Sequence, residues 1–447
     1  MGLNIEIGFL PALEDVPQII DIEQVVKSAL EAVDPALLIS KSVSFSNNSL
    51  SIHPKNSTDL IVEVGPGATI RVISMGKAAT AMAVAFSGVM GDRSHIGLIV
   101  DKFEKTSIPA HFERIIAGHP IPNLNSIKAG QRCEEFLADC KPEDLTLCLI
   151  SGGGSALLTH PISGITLEDL QIVNQQLLAC GATITEINAI RRVLDRVKGG
   201  GLARMAAPSR CLSLILSDVI GDPISVIASG PTCADEVESP MEVVRKYGLE
   251  GNFPQRVIDA ISQVDHQELR RNENVVANQV IGNNLIALFA AEARAKELGW
   301  KVFLDKEPFT QLTENVALDL SAKIAELDLT KKGPWIYLRG GESTVRLSGS
   351  GVGGRNQQLA LEATDRLRGF ENWCLVCIAT DGDDGTTDAA GAITSPMIFK
   401  KIRQLNLNIE EAVQNNDSYS LFDRTGNLIK IGATGTNVND LVLFFRF

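Results

Sequence analysis

The chain has 447 residues, of which 45% are hydrophobic, and a formal net charge of −13. A chain of this length is too long to fold around one ordinary hydrophobic core, so we expect two domains. The acidic excess, without a stripe of clustered Lys and Arg, argues against binding to nucleic acid. No apolar run approaches the roughly 20 residues that cross a bilayer, so we expect no membrane-spanning segment.

Five short apolar runs are expected to form buried parallel strands, and each ends in glycine together with charged or hydroxyl residues. They occupy residues 70–74, 145–150, 212–216, 335–338 and 374–379. Because strands alternate with helical patterns, we predict an α/β protein with an open sheet. Such sheets bind ligands at the carboxyl ends of their strands, so these five turns are where we expect an anion and a metal to be handled.

Three helices are predicted between the strands. Thr166 and Asp169 form a capping-box pattern that opens a helix through residue 178, and residues 183–194 form the next helix. Residues 281–298 form the longest amphipathic pattern, which ends at Gly299. We place the domain boundary within the polar stretch 233–278.

The second run is followed by a glycine loop made of Ser151, Gly152, Gly153, Gly154 and Ser155. Its backbone N–H groups can cradle phosphate oxygens or a carboxylate at a helix start. A tight turn between a strand and a helix explains the same residues equally well. Both interpretations therefore stay open.

Two lysines stand beside glycines. Lys77 is not part of a Walker A loop, because Ala78 stands where Ser or Thr is required, yet it can act as a point charge on a transferring phosphate. Lys198 precedes the glycines 199–201, which can form a second anion-binding loop. This pattern is less specific, because a helix C-terminus explains the same glycines.

Residues 349–354 fit the pattern GxGxxG and precede a helix-like run over 356–366, which favours a dinucleotide enzyme. However, residues 344–348 alternate polar and apolar, where a central Rossmann strand is continuously apolar. Arg355 and Asn356 also follow the pattern at once, so we interpret its glycines as support for Arg355, which would bind an anion.

Acidic residues crowd the end of the fifth run, at Asp381, Asp383, Asp384 and Asp388. Carboxylates so close together repel one another unless a cation or a general-base role uses them, although a solvated loop is the alternative. Three more acids at neighbouring strand ends are candidates for the same cation: Asp218, Asp222 and Glu342.

Long motifs in one order now resemble a known family. They include SMGKAA from Ser74, ISGGGSALL from Ile150, GGRNQQLAL from Gly353, ATDGDDGTTDAAGA from Ala379 and GATGTNVNDL from Gly432. They are similar to the motifs of the class II glycerate kinases, the glycerate 2-kinase family whose C-terminal part is called MOFRL. The resemblance runs from about residue 74 to 441.

The resemblance implies transfer of the ATP γ-phosphoryl group to D-glycerate, giving 2-phosphoglycerate, with Mg²⁺. It implies a Rossmann-like αβα domain over residues 15–260 and a smaller α/β domain over 270–447, with the MOFRL region at about 334–442. The charged strand ends come from both halves of the chain, so we expect the active site in a cleft between the two domains. Asp383, Thr386 and Ala433 depart from the family pattern, which affects local loop shape and cation affinity.

The resemblance carries catalytic roles to Lys77, Arg355 and Asp381. Lys77 and Arg355 would balance charge on the transferring group, and Asp381 would accept or position the proton of the 2-hydroxyl. We expect metal ligands among Asp218, Glu342 and Asp384. We expect nucleotide, phosphate or substrate contacts from the glycine loop 151–155, Lys198, Gly353, Gly354 and Asn356.

Two other functions compete with the kinase: an NAD(P)-dependent hydroxypyruvate reductase, favoured by GxGxxG, and a non-catalytic anion-binding or scaffold protein. The expected partners are small molecules, and the sequence leaves a monomer and a homodimer open. Eight cysteines without a regular framework are typical of a reduced compartment, so we expect a cytoplasmic protein, with a mitochondrial fraction left open.

Overall fold

The computed structural model describes residues 16, 18–54, 58–104, 107–233, 239–263 and 273–447. The chain divides into two compact units. The central unit is Pro35–Gly282, and the terminal unit is Asn283–Phe447 together with the described residues up to Asp34. Within the described residues, no helix has both the length and the apolarity needed to span a membrane.

Helices and strands alternate along most of the chain, as the sequence predicts. The helices are α1 (Ile19–Glu31), α2 (Pro35–Ser42), α3 (Ala79–Met90), α4 (Leu124–Leu137), α5 (Gly154–Leu157), α6 (Leu167–Ala179), α7 (Ile184–Leu194), α8 (Gly201–Ala206), α9 (Pro240–Lys246), α10 (Gln255–Ser262), α11 (Asn284–Glu297), α12 (Thr313–Thr330), α13 (Arg355–Arg366), α14 (Met397–Gln404), α15 (Ile409–Gln414) and α16 (Ser418–Thr425). The strands are β1 (Val43–Ser46), β2 (Ser49–Ile52), β3 (Leu60–Glu63), β4 (Ile70–Met75), β5 (His95–Asp101), β6 (Phe112–Ile116), β7 (Leu145–Ile150), β8 (Arg210–Leu216), β9 (Val275–Gly282), β10 (Lys301–Leu304), β11 (Trp335–Gly341), β12 (Trp373–Ala379), β13 (Gly391–Thr394), β14 (Leu428–Ile429) and β15 (Asp440–Arg446).

The central unit is built on a six-stranded sheet in the order β6-β5-β4-β7-β8-β9. Every neighbouring pair in it is parallel. This is the strand order of a doubly wound sheet, in which the winding direction reverses between the two central strands, here β4 and β7. Ligands bind in the crevice outside the carboxyl ends of those two strands, so the topology alone marks the turns after Met75 and Ile150.

Two predicted helices of the central unit are confirmed with their capping boxes. The Thr166 hydroxyl accepts from the Asp169 N–H and opens α6, and Thr183 does the same with Glu186 at α7. Arg256 then grips Asp169 with two hydrogen bonds of 2.7 Å each, from Nε and Nη2. These contacts fix the start of α6, a helix that borders the candidate site described below.

The terminal unit is built on a mixed sheet in the order β10-β11-β15-β12-β13-β14. The expectation that β11 and β12 are strands of a parallel sheet is wrong in one respect, because both pair antiparallel with β15. The reason is that the C-terminal strand inserts between them. It also completes the core, where the Phe444 ring stacks on Trp373 with centroids 6.0 Å apart.

The helix predicted over residues 281–298 is shorter than expected. Ile281 and Gly282 end β9, and α11 covers Asn284–Glu297. The Asn283 side chain caps α11 by accepting from the Ile286 N–H, so the strand and the helix are separated by a single polar residue that periodicity does not reveal. Within the same unit, α1 packs near the end of α11, where Trp300 Nε1 donates to Asp21 Oδ2 at 3.0 Å.

Candidate active site

The turns after β4 and β7 are joined to each other at the centre of the doubly wound sheet. The Lys77 N–H donates to the Gly152 carbonyl at 2.9 Å, and the Ala78 N–H donates to Ser151 Oγ at 3.1 Å. Gly76 has a φ of +116°, and a Cβ there would lie 2.2 Å from Ser151 Oγ. Only glycine fits this close approach, which places Lys77 against the glycine loop.

The glycine loop 151–155 is bordered by side chains that contact its backbone closely. A Cβ on Gly152 would lie 1.9 Å from Asp218 Oδ2, and a Cβ on Gly153 would lie 2.8 Å from His119 Cδ2 and 3.4 Å from Lys77 Cγ. The structure therefore brings together Lys77, Asp218 and His119 around the loop. His119, which stands among the turn residues 117–120, also lies in the site.

A segment after β8 supports the far end of the loop. Ser155 Oγ lies 2.8 Å from Ser229 Oγ, and the Ser229 hydroxyl donates to Asn188 Oδ1 at 2.8 Å. Ala228 and Ser229 both have positive φ angles, of 49° and 63°. Such backbone conformations are costly for residues other than glycine and concentrate at functional sites, where packing holds them in place.

A pocket of about 210 Å³ opens beside the loop within the central unit. Its polar lining consists of His119, Ser155, Thr159, Asn174, Arg191 and Lys198. Its apolar lining includes Leu170 and Val173 of α6. Two glycine-loop residues, Gly153 and Ser155, form part of its wall.

Lys198 is held at the back of this pocket. It is 5% exposed, pairs with Asp195 and donates to Thr159 Oγ1 at 3.4 Å. Burial lowers the pKa of Lys198, and the carboxylate of Asp195 opposes that change. Asp195 is fixed in turn by the N–H groups of His160 and Val197.

In the terminal unit, the ends of β11 and β12 meet the start of β15. Asp440, the first residue of β15, lies opposite Gly341 in β11 and Ala379 in β12. Arg355, the first residue of α13, donates from Nε to Asp440 Oδ2 at 2.6 Å and from Nη1 to Glu342 Oε1 at 2.6 Å. The sequence-predicted Arg355 and Glu342 are thus brought together, and Asp440 joins them.

Burial and ion pairing shift the pKa values of Asp440 and Arg355 in opposite directions. Burial raises the pKa of Asp440 to about 7, although the guanidinium of Arg355 pulls it down. Burial lowers the pKa of Arg355, but the two carboxylates outweigh burial and raise it, so Arg355 stays charged. The Glu342 side chain is 44% exposed, whereas that of Asp440 is 1% exposed.

Asp384 lies at the N-terminus of α13. Its carboxylate accepts from the backbone N–H groups of Asn356 at 3.0 Å and Gln357 at 2.8 Å. A Cβ on Gly354 would lie 2.3 Å from Asp384 Cγ, so that glycine makes room for this contact. Gly354 and Asn356 therefore belong to the start of α13. The Asp384 carboxylate places a negative charge at the positive end of this helix.

The other acids of the 381–388 loop point to different partners. Asp381 Oδ1 accepts from the Asp383 N–H at 3.2 Å, and the Asp381 carbonyl accepts from the Thr434 N–H at 3.1 Å. Asp388 contacts Tyr419 Oη at 2.7 Å and Lys430 Nζ at 3.0 Å. These contacts lower the pKa of Asp388. The four carboxylates do not form one cluster.

The glycines of the GxGxxG pattern pack against another loop of the same unit. A Cβ on Gly349 would lie 2.4 Å from Asn415 Cα, and one on Gly353 would lie 2.3 Å from Ser418 Oγ. The residues before the pattern, 344–348, form only an isolated bridge at Thr344 and no strand. These glycines therefore allow two loops to pack closely. The strand that precedes a dinucleotide-binding fingerprint is absent from residues 344–348.

The three acids predicted as metal ligands divide between the units. Asp218 borders the glycine loop in the central unit, whereas Glu342 and Asp384 lie in the terminal unit. Within the described ranges, no group of three or more His, Cys, Asp or Glu side chains is placed to hold a metal ion. Mg²⁺ on a nucleotide commonly uses only one or two carboxylates together with phosphate oxygens, so Asp218 beside a phosphate-type loop fits this ion. Asp384, engaged with two backbone N–H groups, does not fit it.

Three residues of these clusters were not predicted from the sequence. Asp440 stands directly before the apolar run 441–445, an acid at the start of a strand, which is the signal that would have found it. Arg191 stands in the last turn of α7, where a basic residue is explained by the helix dipole. His119 stands among turn residues, where a structural role is the simpler interpretation of a histidine.

The fold is that of a two-domain α/β family. Residues 21–262 match the family described as a domain of unknown function (DUF4147), and residues 335–440 match the MOFRL family. Residues Pro35–Gly282 and Asn283–Phe447 carry the two sheets described above.

Relatives identify the family more closely. The chain is 35% identical to the D-glycerate 2-kinase of Thermotoga maritima, over 94% of this chain and 96% of that protein. The crystal structure of a glycerate kinase from Thermotoga maritima matches with a TM-score of 0.85 and 34% identity, over 96% of this chain and all of that one. The chain is also 36% identical to a putative hydroxypyruvate reductase of Agrobacterium vitis, over 83% of this chain and 85% of that protein. The chain belongs to the glycerate 2-kinase family.

Proposed function

We propose that this protein transfers the γ-phosphoryl group of ATP to the 2-hydroxyl of D-glycerate and forms 2-phosphoglycerate and ADP. The family and the names of its relatives support this reaction. The structural observation that carries it is the contact of Lys77 with a glycine loop at the switch point of a doubly wound sheet. Such a crevice is a common site for phosphate-bearing ligands.

Lys77 is proposed to neutralise charge on the transferring group. Phosphoryl transfer places negative charge on the equatorial oxygens of the γ-phosphate, and fixed cations stabilise that charge. The close packing of Gly76 on Ser151 fixes the backbone of Lys77 relative to the glycine loop. The backbone that carries the Lys77 side chain is thus held in place before the reaction begins.

Arg355 is proposed as the second cation, presented by its contact with Asp440. The buried Asp440 orients the guanidinium from one side, while Nη1 contacts the half-exposed Glu342. A phosphate oxygen can take the place of Glu342 at Nη1 without disturbing the contact with Asp440. Arginine suits this role because its planar group binds two anionic partners at once.

Asp381 is proposed to accept the proton of the glycerate 2-hydroxyl as its oxygen attacks the γ-phosphorus and the bond to the β-phosphate oxygen breaks. It lies two residues beyond the end of the buried strand β12, and its Oδ1 accepts a hydrogen bond from the Asp383 N–H at 3.2 Å. The other contacts of this loop, from Asp384 and Thr434, fix the backbone around it. A positioned carboxylate contributes to catalysis by orienting and accepting such a proton.

Mg²⁺ is proposed as the cofactor, and it would supply charge neutralisation between the β- and γ-phosphates. Asp218 is the residue that we propose to hold it, because its carboxylate lies beside Gly152. Glu342 is the second candidate. Asp384 is set aside because its carboxylate is engaged at the start of α13.

The reductase remains the alternative function, and its main sequence argument is weakened. The glycines at 349–354 pack on Asn415 and Ser418 instead of following a strand. We therefore propose kinase activity over hydride transfer. The eight cysteines follow no regular framework in the sequence, and this pattern supports the proposal of a cytoplasmic protein.

One assay separates the two functions. The purified protein is incubated with ATP, Mg²⁺ and D-glycerate while ADP release is measured, and in parallel with NADH and hydroxypyruvate while NADH absorbance is followed. The proposal predicts ADP release that depends on glycerate and no consumption of NADH. Consumption of NADH without ADP release would instead establish the reductase.

A further inference from the structure

The pocket beside the glycine loop has the size of a small organic acid. Its volume is about 210 Å³. Pockets that enclose drug-sized ligands usually occupy about 300–1,000 Å³, so a nucleoside triphosphate does not fit inside this one. The apolar side chains of Leu170 and Val173 on one wall suit a short carbon skeleton.

The charge of the pocket also matches one carboxylate. Lys198 is paired with Asp195, so together they carry no net charge. His119 is neutral at pH 7, because burial, aided by the nearby charges of Lys77 and Lys102, lowers its pKa to about 4. Among the side chains that line the pocket, Arg191 therefore supplies the net positive charge, while Lys77 lies outside this lining. A single positive charge suits a monocarboxylate better than a triphosphate.

The guanidinium of Arg191 is held in a fixed orientation. Its Nε donates at 2.8 Å to Oδ1 of Asn174, which belongs to the neighbouring helix α6 and also lines the pocket. A guanidinium braced at Nε can present its terminal nitrogens as a fork, and such a fork matches the two oxygens of a carboxylate. Lys198, at the back of the pocket, can donate a further hydrogen bond to the same ligand.

We infer that this pocket binds the carboxylate of the acceptor acid through Arg191 and Lys198, and that the nucleotide binds outside it. The inference rests on the proposed function. The sequence left a carboxylate and a phosphate open as ligands of the glycine loop, and the inference assigns the carboxylate to the side of the loop that lines the pocket. It assigns Arg191 as a residue that determines substrate specificity. Asn174 is a positioning residue that acts through Arg191.

The test is Arg191→Gln in the full-length protein, assayed by ADP release with D-glycerate and ATP. Loss of a charge-assisted fork predicts a rise in the KM for glycerate of about 10- to 100-fold, with the KM for ATP within about twofold of wild type. Arg196→Gln is the matched control, because this exposed arginine, five positions further on, pairs with Glu134 and does not line the pocket. Its glycerate KM should stay unchanged.

Two results would overturn the inference: a raised KM for ATP with an unchanged KM for glycerate, or no change in either. If a thermal melt shows that Arg191→Gln is not folded at the assay temperature, Arg191→Lys replaces it, since lysine keeps the charge and loses the planar fork. Calorimetric titration with D-glycerate, without ATP, separates this inference from the proposed reaction. Binding by wild type that is lost in the variant supports the pocket even if no ADP is released, and absent or equal binding contradicts it.

Discussion

Arg355 holds Asp440 by two hydrogen bonds, from Nε to Oδ2 at 2.6 Å and from Nη2 to Oδ1 at 3.1 Å. The two residues are 85 positions apart in the chain. Asp440 is buried between the ends of two strands, so the arginine that we propose for catalysis is oriented by a carboxylate that ligands do not reach. The pair therefore couples the protonation of Asp440 to the position of Arg355.

The first prediction concerns pH. Burial raises the pKa of Asp440 to about 7, so the wild-type kcat/KM should fall as the pH drops below that value, because protonation weakens the hold on Arg355. Asp440→Asn should lower activity and remove this acidic limb. The control is Asp365→Asn on the exposed side of α13, which should keep the limb. An unchanged pH profile in Asp440→Asn would show that the pair does not govern activity.

Asp440 also makes the free energy of unfolding depend on pH. The pKa of Asp440 in the folded protein lies above the value of about 3.9 for an unfolded aspartate. The stability that protonated Asp440 contributes is therefore full below about pH 4 and is lost as the pH rises through about 7. Asp440→Asn should flatten the free energy of unfolding over this range in urea titrations.

The second prediction concerns Asp384. Asp384→Ala leaves the N–H groups of Asn356 and Gln357 without their acceptor, so it should lower the free energy of unfolding by about 1–3 kcal/mol. Asp388→Ala, in the same loop but exposed, should cost much less. Denaturant titration measures both. A Mg²⁺ requirement that rises in Asp384→Asn while stability is unchanged would instead make Asp384 a metal ligand.

Local sequence signals predicted most of the fold. The strand 145–150 was predicted at its observed bounds, the capping box at Thr166 is formed as the spacing indicates, and the helix predicted over 183–194 is present. These features depend on residues within one turn or one strand. Ile281 was assigned to a helix because an apolar residue at a strand end fits both periods, and only the cap at Asn283 separates them.

The clusters were predicted less completely, because their contacts join distant residues. Arg355 was found through its glycines, but its partner Asp440 belongs to a strand whose place in the sheet depends on pairing with both β11 and β12. The four acids of the 381–388 loop are close in sequence, but they contact different partners, and sequence spacing does not reveal this. Arg191 and Asn174 meet only because α6 and α7 pack side by side.

The third prediction concerns Lys77. Lys77→Met removes a charge that we propose to act in the transition state, so kcat should fall by about 100-fold with a smaller change in the KM for glycerate. Lys128→Met, an exposed lysine on α4, is the control and should leave both constants unchanged. An unchanged kcat with a raised KM would make Lys77 a residue for ground-state binding.

The fourth prediction concerns Asp381. Asp381→Asn keeps the shape of the side chain and removes its charge, so the rate should fall by about two to four orders of magnitude while nucleotide binding is retained. Steady-state kinetics and calorimetric titration with ATP measure the two effects. The exposed Asp383→Asn, two positions away, is the control. A near-normal rate in Asp381→Asn would contradict the role of the proton acceptor.

The identity of the product tests the central proposal most directly. Wild-type protein is incubated with ATP, Mg²⁺ and D-glycerate, and the phosphorylated product is identified by phosphorus NMR and by adding enolase without a phosphoglycerate mutase. The account predicts 2-phosphoglycerate, which enolase converts at once. Formation of 3-phosphoglycerate, or no phosphorylated product at all, would contradict it.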